Sequence, residues 1–355
     1  MCSCQHTINT GRSLGGRLIS GTFRGIGQVA FVNSAITGCS IFVACSLSNP
    51  LSALLGLLSC FIGTSMGFIL PQERAASENG LHGYNGFLVG MGMGYFNAGL
   101  HSDHYDLYSF VVLLLPLLFT SLFCWFTNIA FRKNLSTPTF TFAYNISLSC
   151  WLALCVNLGK SSDFYPSFMG GSTLIPIQYN EICFEWFLKT SAAGVGQVFF
   201  APELTPSLII LSGLAVGSPI AAGLAFTGSM VGTSVSIFLH ADRTSAYLGI
   251  NGLSAVLASV ALGGFYFVIS WWSFLLACLA SVFSVAVRHV FSGLLIHPVD
   301  GPGMTFPFCV VATILFLAVR DIGIPPLVNQ DCLHSCESHL ADYLDNSNSF
   351  SQESN

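Results

Sequence analysis

The sequence predicts an all-α integral membrane protein built as two inverted five-helix repeats, and three observations carry that prediction. Of 355 residues, 53% are hydrophobic and only 8% are charged, with a mean hydropathy of +0.70. A soluble domain carries about 25% charged residues, so this chain lacks the polar surface to stay in water. Apolar runs of membrane-spanning length recur along most of it. Polar residues that interrupt those runs also recur, in the same order and at nearly constant separation.

In chain order, the first half holds apolar runs at roughly 26–47, 50–71, 86–100, 107–131 and 141–158. An amphiphilic connection follows over 159–190. The second half holds runs at roughly 195–216, 218–239, 252–268, 271–291 and 305–320. Several are short or interrupted by glycine and polar residues, which predicts broken or re-entrant helices among the spans. Residues 1–20 read as a polar, basic cytoplasmic tail without the apolar stretch of a cleaved signal peptide. Residues 321–355, rich in Ser, Asn and acids, read as a disordered cytoplasmic tail. The two transmembrane repeats then occupy 21–158 and 191–320.

The repeat is checked by offset. Gln28 pairs with Gln197, Phe31 with Phe200, Pro50 with Pro219, and Gly63-Thr64 with Gly232-Thr233, all 169 residues apart. Asn85-Gly86 pairs with Asn251-Gly252 at 166, and Pro138 and Thr141 pair with Pro302 and Thr305 at 164. A drift of five residues needs only small loop deletions. Five spans is an odd number, so the second copy enters the bilayer from the opposite side. The halves are then related by a pseudo-two-fold axis in the membrane plane, with the functional site at their interface. Counting Lys and Arg gives a cytoplasmic N-terminus: Arg12, Arg17, Arg24, Arg74, Arg132, Lys133 and Arg320 inside, against Lys160, Lys189, Arg243 and Arg288 outside.

Composition also excludes. A net charge of -5 with no basic patch gives no reason to expect nucleic acid. The 13 cysteines are scattered, many within apolar runs, and read as small hydrophobes rather than a disulfide framework. No Asp, Glu, Lys or Arg is expected inside the apolar runs, whereas a proton- or ion-coupled pump usually needs one. Cys332, Cys336, His334 and His339 have the composition of a metal site but fall in the C-terminal tail, and no metal or cofactor is expected.

The chemistry is expected in the polar interruptions. Leu135-Ser-Thr-Pro138-Thr-Phe-Thr141 and Val299-Asp-Gly-Pro302-Gly-Met-Thr305 each break an apolar context. Proline removes a donor and disfavours helix in the residue before it, so Thr141 and Thr305 would stand near helix starts inside the protein. Freed backbone groups there must be satisfied by protein, water or solute. Carbonyls and threonine hydroxyls along a pore would offer acceptors to a polar solute. The competing reading is a pair of kinked helices whose threonines bond their own backbone. Gln28 and Gln197 each stand three residues before an aromatic ring, Phe31 and Phe200, on the same helical face. An amide beside a ring suits a flat, neutral, hydrogen-bonding solute; the competing reading is a glutamine bonded to a neighbouring helix. Asn85 and Asn251 lie in Gly-rich turns, with Tyr84 and Leu88 close by. They fit either a pore-lining role or plain turn chemistry.

On these motifs the chain resembles the urea transporter family. Leu135-x-x-Pro138-x-x-Thr141 matches that family's Leu-x-x-Pro-x-x-Thr signature, and the second copy matches with Val299 for Leu. The Gly-Gln-Val-x-Phe elements at 27–31 and 196–200, and Gly83-Tyr84-Asn85, match as well. The resemblance covers roughly 21–320. It implies a tilted re-entrant pore helix in each repeat, a pore through every subunit, a homotrimer in the plasma membrane, and passive movement of urea between phenylalanine slots along oxygen ladders. Thr141 and Thr305 would line the narrow part, with Gln28, Phe31, Gln197 and Phe200 in flanking sites; Tyr84, Asn85, Leu88 and Asn251 are weaker pore candidates. No enzyme activity is implied. The chain departs from the family at Ala143, where Pro is usual, and at Ile250, the partner of Tyr84. A pore for another small neutral solute, or a coupled secondary transporter, remains the alternative.

Overall fold

The computed structural model describes residues 13–69, 74–96, 107–131, 135–158, 184–241, 243–294, 304–329 and 333–353. Helices follow one another in the order α1 (Leu14–Gln28), α2 (Ala35–Ser48), α3 (Pro50–Ile69), α4 (Arg74–Glu78), α5 (Tyr84–Phe96), α6 (Leu107–Ala130) and α7 (Phe142–Leu158). The second half continues with α8 (Phe184–Gln197), α9 (Leu204–Gly217), α10 (Pro219–Phe238), α11 (Arg243–Tyr247), α12 (Gly252–Val260), α13 (Trp271–Leu294) and α14 (Phe306–Arg320). A π-helical turn, Ala261–Phe265, extends α12, and α15 (Cys336–Glu353) closes the chain. Among the described residues the only extended pairing is one bridge between Phe267 and Leu327.

Local sequence explains why the helices begin where they do. Pro50 and Pro219 open α3 and α10, where no backbone N–H is needed. The hydroxyls of Ser34 and Ser218 accept from Thr37 N and Ala221 N and so cap α2 and α10. Helix starts repeat with the residue offsets read from sequence: 35 and 204, 50 and 219, 74 and 243 differ by 169, while 107 and 271, 142 and 306 differ by 164. Among the described residues, four segments are long and apolar enough to cross a bilayer, Pro50–Ile69, Pro219–Phe238, Ser245–Phe265 and Trp271–Phe291. Ala35–Ser48, Leu114–Ala130, Leu204–Gly217 and Phe306–Arg320 are shorter apolar helices. Large apolar side chains such as Ile69, Val216, Phe238 and Trp271 stand exposed on the outer surface, as acyl chains would favour.

The runs at 26–47 and 195–216 are not single spans, contrary to the sequence expectation. Each is divided after its glutamine. Val32 N donates to Gly27 O and Phe31 N to Gln28 O, with Phe31 at φ 62°. Ala201 N donates to Gly196 O and Phe200 N to Gln197 O, with Phe200 at φ 56°. This is the 6→1, 5→2 pattern of a Schellman motif, with phenylalanine where glycine is usual. The tail boundaries shift too: α1 begins at Leu14, inside the expected N-terminal tail, and α8 at Phe184, inside the expected connection.

The C-terminal stretch also departs from expectation, because α15 is a helix that docks on the protein. The Glu337 carboxylate accepts from the Ser218 hydroxyl (2.9 Å) and from Ile220 N (2.8 Å), at the start of α10. Cys336 is fully buried, and burial pushes its thiol up to about 12. A protonated thiol is a poor metal ligand. His339 Nε2 is engaged by His334 N at 2.9 Å. No group of three or more His, Cys, Asp or Glu among the described residues could hold a metal, and Cys332 lies outside them.

The halves meet along α2 and α9, which pack antiparallel. The Thr37 hydroxyl, near the start of α2, donates to Gly213 O near the end of α9 (2.9 Å). The Ser48 hydroxyl, at the end of α2, donates to Glu203 before the start of α9 (2.7 Å). Within each half a left-handed glycine presses a turn onto a helix: Gly80 (φ 79°) against Gly25, and Gly249 (φ 67°) against Gly194. An added Cβ would collide with backbone at both. Gly80→Ala and Gly249→Ala are each expected to cost on the order of 1–3 kcal/mol from the left-handed conformation alone. Gly223→Ala, whose methyl meets nothing within 4 Å, serves as control. Thermal unfolding in detergent checks this: a lowered midpoint for the first two and an unchanged or raised one for the third, where alanine is the better helix former.

Candidate functional site

Two helices begin in the interior of this protein, and their first residues meet. Phe140 (φ 46°) and Met304 (φ 39°) are left-handed, and each turns the chain immediately before a threonine. Thr141 precedes α7, and Thr305 is the residue before α14. Both threonines are buried, 2% and 3% exposed, and their hydroxyl oxygens lie 2.6 Å apart. The structure therefore brings together the two residues that sequence offset paired.

Two further side chains complete the cluster, Asn145 and Cys309, also 164 residues apart. Asn145 Nδ2 donates to Thr141 O (3.0 Å) and to Cys309 Sγ (3.4 Å). Asn145 Oδ1 accepts from Thr305 N (3.1 Å) and the Thr305 hydroxyl (3.2 Å). Cys309 Sγ is 3.2 Å from the Thr141 oxygen. The backbone partners fix the amide orientation, since Thr305 N–H needs an acceptor and an amide oxygen could not face the Thr141 carbonyl at 3.0 Å. The protons can then run one way round: Asn145 amide to Cys309 sulfur, thiol to Thr141, Thr141 to Thr305, Thr305 to Asn145 oxygen. Such a ring strengthens its own bonds and uses the hydroxyl protons internally. What the two threonines offer outward are lone pairs, that is, acceptors.

The carbonyls before the threonines are held differently in the two halves. Phe140 O accepts from the Tyr84 hydroxyl (2.5 Å) and Asn85 Nδ2 (3.4 Å), and Asn85 Oδ1 accepts from Tyr144 N (3.1 Å). Met304 O accepts instead from Arg288 Nη1 at 3.1 Å. Arg288 lies three residues from the end of the apolar segment Trp271–Phe291, long enough to cross a bilayer, and is only 7% exposed. This corrects the expectation that the apolar runs carry no charge, since Arg288 falls inside the run at 271–291. The physical reason is that a left-handed peptide in an apolar interior needs a donor for its carbonyl, and arginine reaches it. The first knot has its own clamp, Arg320 Nη1 donating to Leu135 O and Ser136 O. Residues 299–303 of the second knot, Pro302 among them, lie outside the described residues.

The predicted flanking residues form two aromatic groups. The Phe31 ring packs on Phe265, Tyr266 and Phe308 of the other half, with centroids 5.2, 5.9 and 6.1 Å away. Phe200 packs on Tyr95 and Phe96 of the first half, at 5.1 and 6.1 Å. Phe140 bridges towards the threonines, 5.5 Å from Tyr266 and 5.2 Å from Phe308. Gln28 Nε2 donates to Asn79 O at 3.1 Å. Gln197 is half-buried, and its Oε1 has no partner among the described residues. Leu88 is fully enclosed in the core, and Asn251 makes no side-chain cap bond to α12. Tyr84 and Asn85 brace the first knot.

The two departures from the family pattern acquire reasons. Pro307 occupies the first turn of α14, and Ala143 the same place in α7, yet the helices start at equivalent residues. Preset φ helps a helix start but is not required for one. Ile250 cannot donate as Tyr84 does; Arg288, offset by 164 from Cys124 beside Asn85, takes over the carbonyl. Sequence reasoning did not pick out Asn145, Cys309 or Arg288. The first two could have been found from their shared spacing, four residues beyond each threonine.

Comparison with known proteins fits this arrangement. Residues 19–320 match the family model described as UT: Urea transporter. A relative named Urea transporter 1 from Ovis aries is 31% identical over 310 residues, covering 85% of this chain and 77% of its own. Another of that name from Rattus norvegicus is 32% identical over 299 residues, covering 83% and 75%.

Removing the amide tests the ring. Asn145→Ala leaves the buried Thr305 N–H without its acceptor, at a cost of about 1–3 kcal/mol. A clear drop in the thermal midpoint in detergent is expected, and an unchanged midpoint would contradict the bridging role.

Proposed function

Because the chain belongs to the urea transporter family, we propose that it passes urea passively down its gradient through a pore in each subunit. The observation that carries this reading is the buried pair of threonine hydroxyls, whose protons the surrounding ring uses and whose lone pairs it leaves as acceptors. Urea is planar and uncharged, with four N–H donors and one carbonyl. Taking it out of water is tolerable only if those bonds are replaced along the path. The ring around Thr141 and Thr305 offers acceptors to its amino groups. Gln197 Oε1, unpartnered among the described residues, adds another. Phe31 and Phe200 stack the flat solute and exclude hydrated ions.

The inverted architecture belongs to the same proposal. We take α1 and α8 as the tilted re-entrant helices, since each stops at a buried turn after a glutamine. That leaves α2, α3, α5, α6 and α7 to cross the bilayer in the first half. Five is odd, so the second half is inverted. The antiparallel packing of α2 on α9 supports this, because equivalent helices of inverted repeats must run oppositely. The reading includes a homotrimer of multi-pass subunits in the plasma membrane. It is a channel rather than a proton-coupled carrier: the buried charge near the site is an arginine, whose proton stays on.

Thr141→Val and Thr305→Val each remove one acceptor without changing shape. Each is expected to lower urea flux into proteoliposomes by roughly fivefold to tenfold, the worth of about one hydrogen bond, with assembly intact. Normal flux in the double variant would sink the assignment of these residues.

A further inference from the structure

An acceptor-lined passage does not by itself distinguish urea from guanidinium. The two are planar, nearly isosteric and rich in N–H donors. They differ in charge. Carbonyl and hydroxyl oxygens favour the cation more, because its donors are stronger. Some other feature must reject it.

Arg288 has the properties required. Its guanidinium is buried in the protein near the end of an apolar helix long enough to cross a bilayer, and among the described residues no carboxylate pairs with it. A charge placed there is expensive and calls for a functional reason. Its Nη1 donates to the carbonyl of the Met304–Thr305 peptide, and the N–H of that same peptide donates to Asn145 Oδ1. The charge is therefore one peptide group away from the threonine ring and polarises the bond that orients it. The equivalent carbonyl, Phe140 O, is held without charge by Tyr84 and Asn85. Holding the turn thus does not require a cation, since the other half achieves it with neutral groups. The N-termini of α7 and α14, which meet at the ring, carry partial positive charge of the same sign.

We propose that Arg288 is a specificity-determining residue, the fixed positive charge that bars guanidinium-like and ammonium-like cations from the threonine ring while leaving neutral urea unopposed. The proposal rests on the urea reading of the site. At an effective dielectric near 20, one charge facing another about 10 Å away changes relative entry by roughly tenfold or more.

The test compares urea and radiolabelled guanidinium uptake into the same proteoliposomes. The unmodified protein is expected to pass urea and exclude guanidinium. Arg288→Gln keeps a neutral donor for Met304 O, and Arg288→Met removes it. Both are expected to raise guanidinium flux relative to urea by about tenfold or more, whereas Arg288→Lys keeps exclusion. Neutral variants that carry urea and still exclude guanidinium as the parent does would overturn the proposal. So would guanidinium flux in the parent within about tenfold of urea's, or loss of exclusion in Arg288→Lys. Should the neutral variants not elute as folded protein, those last two measurements decide alone. Absence of urea flux in the unmodified protein refutes the urea reading itself, a distinguishable result.

Discussion

The side-chain amide of Asn145 joins the two halves of this protein at their centre. It donates to the backbone of Thr141 in its own half and accepts from the backbone and hydroxyl of Thr305 in the other. A helix that starts inside a membrane protein leaves N–H groups with neither water nor a preceding turn to bond. Two such helices starting head to head double the difficulty. One amide, with a donor and an acceptor on a single rigid plane, relieves part of it for both. The positions of Thr141, Thr305 and Cys309, and so the chemistry of the site, follow from how that amide must point.

Residues and helix starts recur at matched offsets in the two halves, but the halves do not use the same devices. Gln28 is bonded by Asn79 O, and the residue equivalent to Asn79 is Leu248; Gln197 keeps a free acceptor among the described residues. Tyr84 and Asn85 hold one left-handed carbonyl, Arg288 the other. Asn145 in one helix faces Cys309 in the next. Each difference replaces a hydrogen-bonding solution with another of different charge or direction while the backbone path stays equivalent.

Much of this was legible in the sequence because the signals are local or periodic. Helix order followed from apolar runs, and equivalence of the halves from fixed offsets. The threonine pair was found because a polar residue close to a proline, in an otherwise apolar stretch, marks a break in the helix. What stayed hidden depended on packing. The glutamine breaks lie inside apolar runs, and nothing in Gly-Gln-Val-Ala-Phe demands a helix end, because the left-handed residue is phenylalanine rather than glycine. The count of cations set Arg288 outside the bilayer, and only the fold shows it turned inward onto Met304. Glu337 lies in a polar stretch of disordered composition; its order comes from a carboxylate meeting the start of α10, a contact 117 residues away in sequence.

The phenylalanine turns bear most directly on why the site has its shape. A non-glycine residue at left-handed φ costs on the order of 1 kcal/mol, and a Schellman turn is satisfied by glycine without that cost. In these two turns the chain accepts the strain at Phe31 and Phe200, as it does at Phe140 and Met304 before the threonines. Each left-handed turn reverses the backbone within three residues of a glutamine and throws the ring across to the opposite half, Phe31 onto Phe265, Tyr266 and Phe308, Phe200 onto Tyr95 and Phe96. A ring on a continuing helix would point along that helix's own face. The strain is thus what carries an aromatic side chain out of its own half and onto the rings of the other.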